Sequence, residues 1–288
     1  MFQYATAKAL AARHDLELFL DTSLAVRAKT RPYQLAAFNV SSAQLPTRIA
    51  QNMFRLACSR RLVLRPVGRL LLASAGWQLA HETRPHAFDA SLDARARSLA
   101  DGRSLCLHGY WQCPEYFAAH ADLIRREFTF SMAPSAANQA MLRRIQSASS
   151  VSLHIRRGDY LALRQPPVLT LGYYTTAVQI VAARLENPHF FVFSDDMVWA
   201  KQNLRLKFRT TFVDVNSDST AAEDLRLMSV CRHHVIANSS FSWWGAWLNP
   251  RPDKLVVAPK YWSCTLDSHF PEMMPPGWLC VENLPEAA

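Results

Sequence analysis

Alternation of strand-like and helix-like segments predicts an α/β fold with parallel sheet, and the polar motifs fall where such a fold would use them. In the second half, Ser150–Ile155 is a short apolar run that reads as a strand. Residues 173–186 carry Tyr174, Ala177, Val178, Val181 and Leu185 at helical spacing and stop at Asn187-Pro188. Strand 189–193, helix 197–204, strand 210–215, helix 221–231, strand 233–237, helix 241–248 and strand 254–258 follow. Strands separated by helices form parallel sheets covered on both faces, and ligands sit beyond the carboxyl ends of the strands.

The first half is less regular. A helix over 3–14 leads into strand 16–21, and an arginine-dotted helical region spans 47–79. Strand 104–107 and helix 114–127 come next. The expected domains are 1–140 and 141–288, divided within the polar stretch 131–150, which carries a helix near 137–146. No G-x-G-x-x-G or P-loop is present, and only eight glycines occur.

With 288 residues, half of them apolar, the chain can bury a real core and is not generally disordered. Its formal charge is +9, carried by 26 arginines among 32 basic residues. A nucleic acid, an anionic membrane face or a polyanionic small molecule would each suit that charge, and a general arginine bias is the blander account. No basic run of five and no recognisable nucleic-acid module occurs, so nucleic acid is not an expected partner. Cys58, Cys106, Cys113, Cys231, Cys264 and Cys280 lack redox or zinc spacing and read as buried apolar residues in a reducing compartment. The most hydrophobic stretch, 62–80, is interrupted by Arg65, Pro66 and Arg69. With no signal-peptide pattern at the start, the expected location is cytoplasmic, at most peripheral to the inner membrane.

Three motifs end predicted strands. His154-Ile155-Arg156-Arg157-Gly158-Asp159-Tyr160 puts a histidine and two arginines at a tight turn. An arginine fork matches phosphate bidentately, although a surface turn pairing Arg157 with Asp159 is the structural alternative. In Phe193-Ser194-Asp195-Asp196 the acids could hold a metal but are adjacent rather than spaced as Asp-x-Asp; Asp195 or Ser194 could cap the next helix, and equally a carboxylate could meet a guanine edge. Asn238-Ser239-Ser240-Phe241-Ser242 opens a helix whose free N–H groups favour an anion, followed by Trp243, Trp244 and Trp247 on an aromatic core face. Glu223-Asp224 reads as dipole-complementing acids, and His233-His234 lack a third metal ligand.

These motifs, in this order, resemble the bacterial α-1,2-fucosyltransferases, the inverting family that includes the animal blood-group H enzymes. The likeness extends through Ala222-Glu223-Asp224-Leu225 and the run from Asn238 to Leu248. Weaker echoes are Met1-Phe2-Gln3-Tyr4-Ala5, Gly109-Tyr110-Trp111-Gln112, Glu115-Tyr116-Phe117 and Arg126-Glu127-Phe128. The resemblance implies a GT-B-like pair of Rossmann-like domains with parallel sheets, the second holding GDP-fucose. It implies metal-independent transfer of L-fucose to the 2-hydroxyl of a galactoside, in an oligosaccharide or a lipid-linked glycan, with no cofactor beyond the donor. His154 and Arg156 would contact GDP, Asp196 would meet guanine, and Ser239 to Phe241 would meet the diphosphate. Arg157, Ser194, Asp195, Asn238 and Ser240 complete the expected donor site, with Arg156, His154 and Asp159 as the catalytic candidates. Family members carry a strand and a Gly-rich loop ahead of the Met-Phe-Gln-Tyr-Ala motif, so the first domain is expected to be incomplete at its start.

Overall fold

The computed structural model describes residues 1–22, 33–44, 48–59, 63–99, 103–162, 168–262 and 269–283. The chain divides into two compact units, Met1–Ser131 and Met132–Ala288.

In the first unit, helix α1 (Phe2–His14) ends where Asp15 adopts a left-handed φ of 53°. Strand β1 (Phe19–Leu20) pairs in parallel with β2 (Ala43–Gln44). Helices α2 (Arg48–Ala57) and α3 (Leu64–Ser74) approach so closely that a Cβ on Gly68 would lie 2.2 Å from the Ala57 amide nitrogen. Only glycine permits that distance. A second parallel pair joins β3 (Trp77–His81) to β4 (Ser104–His108), with α4 (Ser91–Arg97) between them in sequence. Helix α5 is Ala121–Glu127.

Three expectations change here. Residues 77–79 were expected to be helical and instead begin β3, because Gly76 turns the chain at φ 80° and β4 supplies ladder partners. The helix expected over 114–127 is two 3₁₀ turns, Pro114–Tyr116 and Ala118–His120, followed by α5. Phe117 leaves helical geometry at φ −127°, which lets adjacent Tyr116 and Phe117 both enter the core. The strand expected over 16–21 pairs at only two residues.

The scattered echoes of the first half prove to be bonded to each other. The Tyr4 hydroxyl donates to Glu127 Oε2 at 2.7 Å, as does the Ser41 amide at 2.6 Å, and Lys8 Nζ lies 3.2 Å from Oε1. Glu127 is buried, and these contacts hold its carboxyl below the usual range against the opposing effect of burial. Glu82 likewise accepts the amides of Tyr110 and Trp111 at 2.7 and 2.9 Å.

The second unit is a six-stranded parallel sheet. Helix α6 (Ala136–Gln146) precedes β5 (Ser150–Ile155), α7 (Leu171–Ala182), β6 (His189–Ser194), α8 (Met197–Asn203) and β7 (Arg209–Phe212). Helix α9 (Ala221–Ser229), β8 (His233–Val235), α10 (Ser240–Leu248), β9 (Val256–Pro259) and β10 (Leu279–Val281) complete it. The strand order is β10-β9-β8-β5-β6-β7. On one face, Val151, Leu153 and Ile155 pack with Tyr174, Ala177, Val178 and Val181 of α7. On the other face, Ser152 Oγ lies 2.8 Å from His234 Nδ1, whose Nε2 lies 2.9 Å from Asn249 Nδ2. His234 is therefore a buried structural link. Helix α10 buries Trp243, Trp244 and Trp247, and the Trp243 indole donates to the Met273 carbonyl at 2.9 Å.

Helix α9 is tied to α6 through Asn216, which accepts from Asn138 at 2.9 Å and donates to Asp224 Oδ1 at 2.8 Å. Burial raises the Asp224 carboxyl to about 6, with the Asn216 bond opposing the rise. The unfolded chain therefore ionises Asp224 at lower pH than the folded one. Its contribution is fully favourable below pH 4 and is lost as pH rises to 6, each unit being worth about 1.4 kcal/mol. Asp224→Asn is expected to be more stable than the parent above pH 6. Urea unfolding at pH 4, 6 and 8 checks this, since the gain should shrink toward pH 4.

Among the described residues no disulfide joins the five cysteines. Cys113 and Cys231 are buried and Cys58 and Cys106 half-buried, but Cys280 is exposed, contrary to the expectation of uniform burial: it faces outward in the terminal strand β10. Cys264 lies outside the described residues. Among the described residues no helix is long and apolar enough to cross a membrane.

Candidate active site

Strand β5 lies between β6 and β8, so the ends of three strands distant in sequence converge. The register sets Ile155 beside Ser194 and Leu153 beside Val235. All three motifs therefore meet at one edge of one sheet. The Tyr160 hydroxyl donates to the Asn238 carbonyl at 3.0 Å, and the His154 ring lies 5.7 Å from that of Phe241.

The arginines are held by carboxylates in a fixed order. Arg156 Nη2 meets Asp159 Oδ1 at 2.6 Å and Nη1 meets Asp195 Oδ2 at 3.0 Å. Arg157 donates its amide to Asp195 Oδ1 at 2.8 Å and its Nε to Asp196 Oδ2 at 3.2 Å, with its guanidinium 3.8 Å from the centre of the Trp199 ring. The surface-turn alternative, with Arg157 paired to Asp159, is thus replaced: Asp159 takes Arg156. A Cβ on Gly158 would fall 2.5 Å from Asp195 Oδ2, so a larger residue there would displace the carboxylate that holds Arg156. The cap of α8 also differs from expectation. Asp196 Oδ1 accepts the Trp199 amide at 3.1 Å, while Ser194 Oγ accepts the Asp196 amide at 3.0 Å. Asp195 serves the arginine turn instead.

Among the described residues two guanidiniums thus face three carboxylates, so the fork is paired rather than bare as the sequence suggests. His154 adds no charge at neutral pH. Burial, and then Arg156, lowers it to about 3. It remains a hydrogen-bonding group, for its Nδ1 is buried without a protein partner, as is Arg156 Nε. Opposite lies the first turn of α10, where N–H groups lack intrahelical acceptors. Ser239 caps it, accepting the Phe241 amide at 3.4 Å, and Asn238 anchors the turn by donating to the Trp262 carbonyl at 2.9 Å. Ser240 and Phe241 are half-buried at the mouth.

Among the described residues no three His, Cys, Asp or Glu side chains converge as metal ligands. A cavity of about 760 Å³ lies within the first unit, walled by Trp77, Phe88, Trp111 and Tyr116. Sequence reasoning missed its shape, though Gly109-Tyr110-Trp111-Gln112 signalled one wall.

Residues 87–281 match the family model described as glycosyl transferase family 11. The chain belongs to this family. The chain is 36% identical over 183 residues to the alpha-1,2-colitosyltransferase of Escherichia coli, covering 61% of this chain and 62% of that protein. It is 30% identical over 284 residues to the O-antigen biosynthesis glycosyltransferase WbnK of Escherichia coli, covering 91% and 90%. In structure it is similar to the NodZ alpha-1,6-fucosyltransferase soaked with GDP-fucose, with a TM-score of 0.51, 18% identity and coverage of 86% and 88%. The family 11 chain thus has a GT-B-like α/β fold with parallel sheets, as expected.

Proposed function

We propose that the protein transfers L-fucose from GDP-fucose to the 2-hydroxyl of a galactoside, inverting the anomeric centre without a metal. The observation that carries this reading is the meeting of His154, Arg156 and the Ser239–Phe241 turn at one sheet edge, linked by Tyr160 to Asn238. Breaking the sugar–phosphate bond leaves charge on the β-phosphate, which fixed donors must stabilise. Arg156 reaches that phosphate through its unpartnered Nε and through Nη2 once Asp159 yields, His154 donates from its neutral ring, and the α10 terminus receives the remaining oxygens through Ser239, Ser240 and Phe241. The Asp195 and Asp196 carboxylates, the natural candidates for a metal, are already engaged by Arg156 and Arg157. Asp196 keeps lone pairs for a guanine edge, with Ser194 and Asn238 shaping the pocket. We assign the acceptor, a galactose-containing oligosaccharide or lipid-linked glycan, to the first unit, whose aromatic-walled cavity suits the faces of sugar rings.

A second donor has support from the colitosyltransferase relative. Colitose is L-fucose without its 3-hydroxyl. The test incubates the protein with GDP-fucose or GDP-colitose and a panel of β-galactosides, reading product linkage by NMR. An α-1,2-fucosyl product is expected. GDP binding without transfer, another linkage, or transfer of colitose alone overturns the reading.

Asp159 is the more exposed partner of Arg156, and its Oδ1 is engaged by that guanidinium. We assign it to positioning Arg156 and yielding to the incoming phosphate. A general base contributes about 10²–10⁴ in rate. Asp159→Asn is therefore expected to lose less than about tenfold in turnover, with an unaltered pH–rate profile. A hundredfold-scale loss with a vanished acidic limb would make Asp159 the base instead.

A further inference from the structure

We propose that the first unit docks on an anionic lipid surface through α3, the exposed row Val63, Val67, Leu70 and Leu71 entering the headgroup layer. The inference goes beyond the transferase reading and does not rest on it.

Two independent observations carry it. The first is where the charge lies. Between Asp21 and Glu82 the sequence contains no acidic residue at all. Outside that segment 23 basic residues balance the 23 acidic ones, so the whole excess of +9 belongs to residues 22–81. A uniform arginine bias does not produce that distribution. Such a field draws the segment toward anionic surfaces.

The second observation is a helix with two apolar faces. Gly68 and Leu72 are buried, Leu72 in a cluster with Phe54 and Ala57. The outer side carries Val63, Val67, Leu70 and Leu71, which are 77, 52, 71 and 41% exposed. Their spacing of four, seven and eight residues makes one continuous stripe. A helix apolar on both sides is a property of buried or lipid-contacting segments.

The occupant follows from combining these. A nucleic acid would use the charge but leave the stripe in water, and an apolar protein partner would use the stripe but not the charge. An anionic bilayer uses both, with acyl chains under the stripe and headgroups beside the exposed Arg55 and Arg69. Neither apolar insertion nor basic attraction anchors strongly alone, and the pair together does. At 11 residues α3 is too short to span a bilayer, so its mode is surface docking.

The test is cosedimentation of the full chain with vesicles of phosphatidylcholine alone, or of phosphatidylcholine with phosphatidylglycerol, at low and high salt. Binding to the phosphatidylglycerol vesicles is expected, weakened at least about tenfold on neutral vesicles or in molar salt. Val67→Ser/Leu70→Ser should lose the interaction while keeping the parent's circular dichroism and urea midpoint, and Arg55→Gln should weaken it without abolishing it. Equal binding to both vesicles, no binding, or undiminished binding by the double variant overturns the proposal. So does a parent dimer that the double variant converts to monomer with no vesicle binding, which would make the stripe a self-interface. Salt-sensitive capture of single-stranded RNA without vesicle binding would assign the charge to nucleic acid. Transfer to a soluble galactoside without vesicles is read separately, so failure of one reading is distinguishable from failure of the other.

Discussion

Arg156→Ala is expected to lower turnover at least about a hundredfold, the typical effect of removing one preorganised donor from a developing oxyanion, about 3 kcal/mol. Two effects act in the same direction. The β-phosphate loses its fork, and Asp159 and Asp195 lose the cation between them. Arg156→Lys supplies the control, because it restores charge but not the planar pair of donors, and it should recover part of the loss. Steady-state kinetics with GDP-fucose, together with circular dichroism, check the result. Near-normal transfer by a folded Arg156→Ala protein would remove Arg156 from the mechanism.

Trp243→Ala is expected to be the most destabilising substitution in the second unit. The ring is fully buried, the rings of Trp244 and Trp278 lie 5.1 and 5.5 Å from it, and its N–H donates to the Met273 carbonyl. Truncating a buried tryptophan costs about 3–5 kcal/mol, and the orphaned carbonyl adds about 1–3. A domain has roughly 5–15 kcal/mol in total, so the variant should be largely unfolded or sharply shifted in urea. Trp243→Phe keeps most of the ring volume and should retain the fold with a smaller loss. A Trp243→Ala midpoint within experimental error of the parent would show that α10 is not anchored as described.

The two halves differed in how much of them could be read. In the second unit, β5 coincides with its expected span: Val151, Leu153 and Ile155 alternate with Ser150, Ser152 and His154, and the central position of the strand buries both faces. β10 was not anticipated. Its three residues are too few for a pattern and become a strand only because β9 offers an edge. In the first unit, residues 77–79 end the arginine-dotted region expected to be helical, and the ladder to β4 decided otherwise. The site was legible in its residue types, since histidine, arginines and a serine-capped helix point to an anion. What the sequence could not give was the pairing. Which carboxylate meets which guanidinium depends on strand ends brought side by side by the sheet, and that exchanged Asp159 for Asp196 beside Arg157.

The sheet order has a consequence for assembly. Because β5 takes β6 on one side and β8 on the other, its flanks are filled by segments translated well after it. Nascent chains that stop before residue 233 would lack one wall of the proposed nucleotide cradle. On the proposed function, saturating GDP should raise the melting temperature of the finished chain.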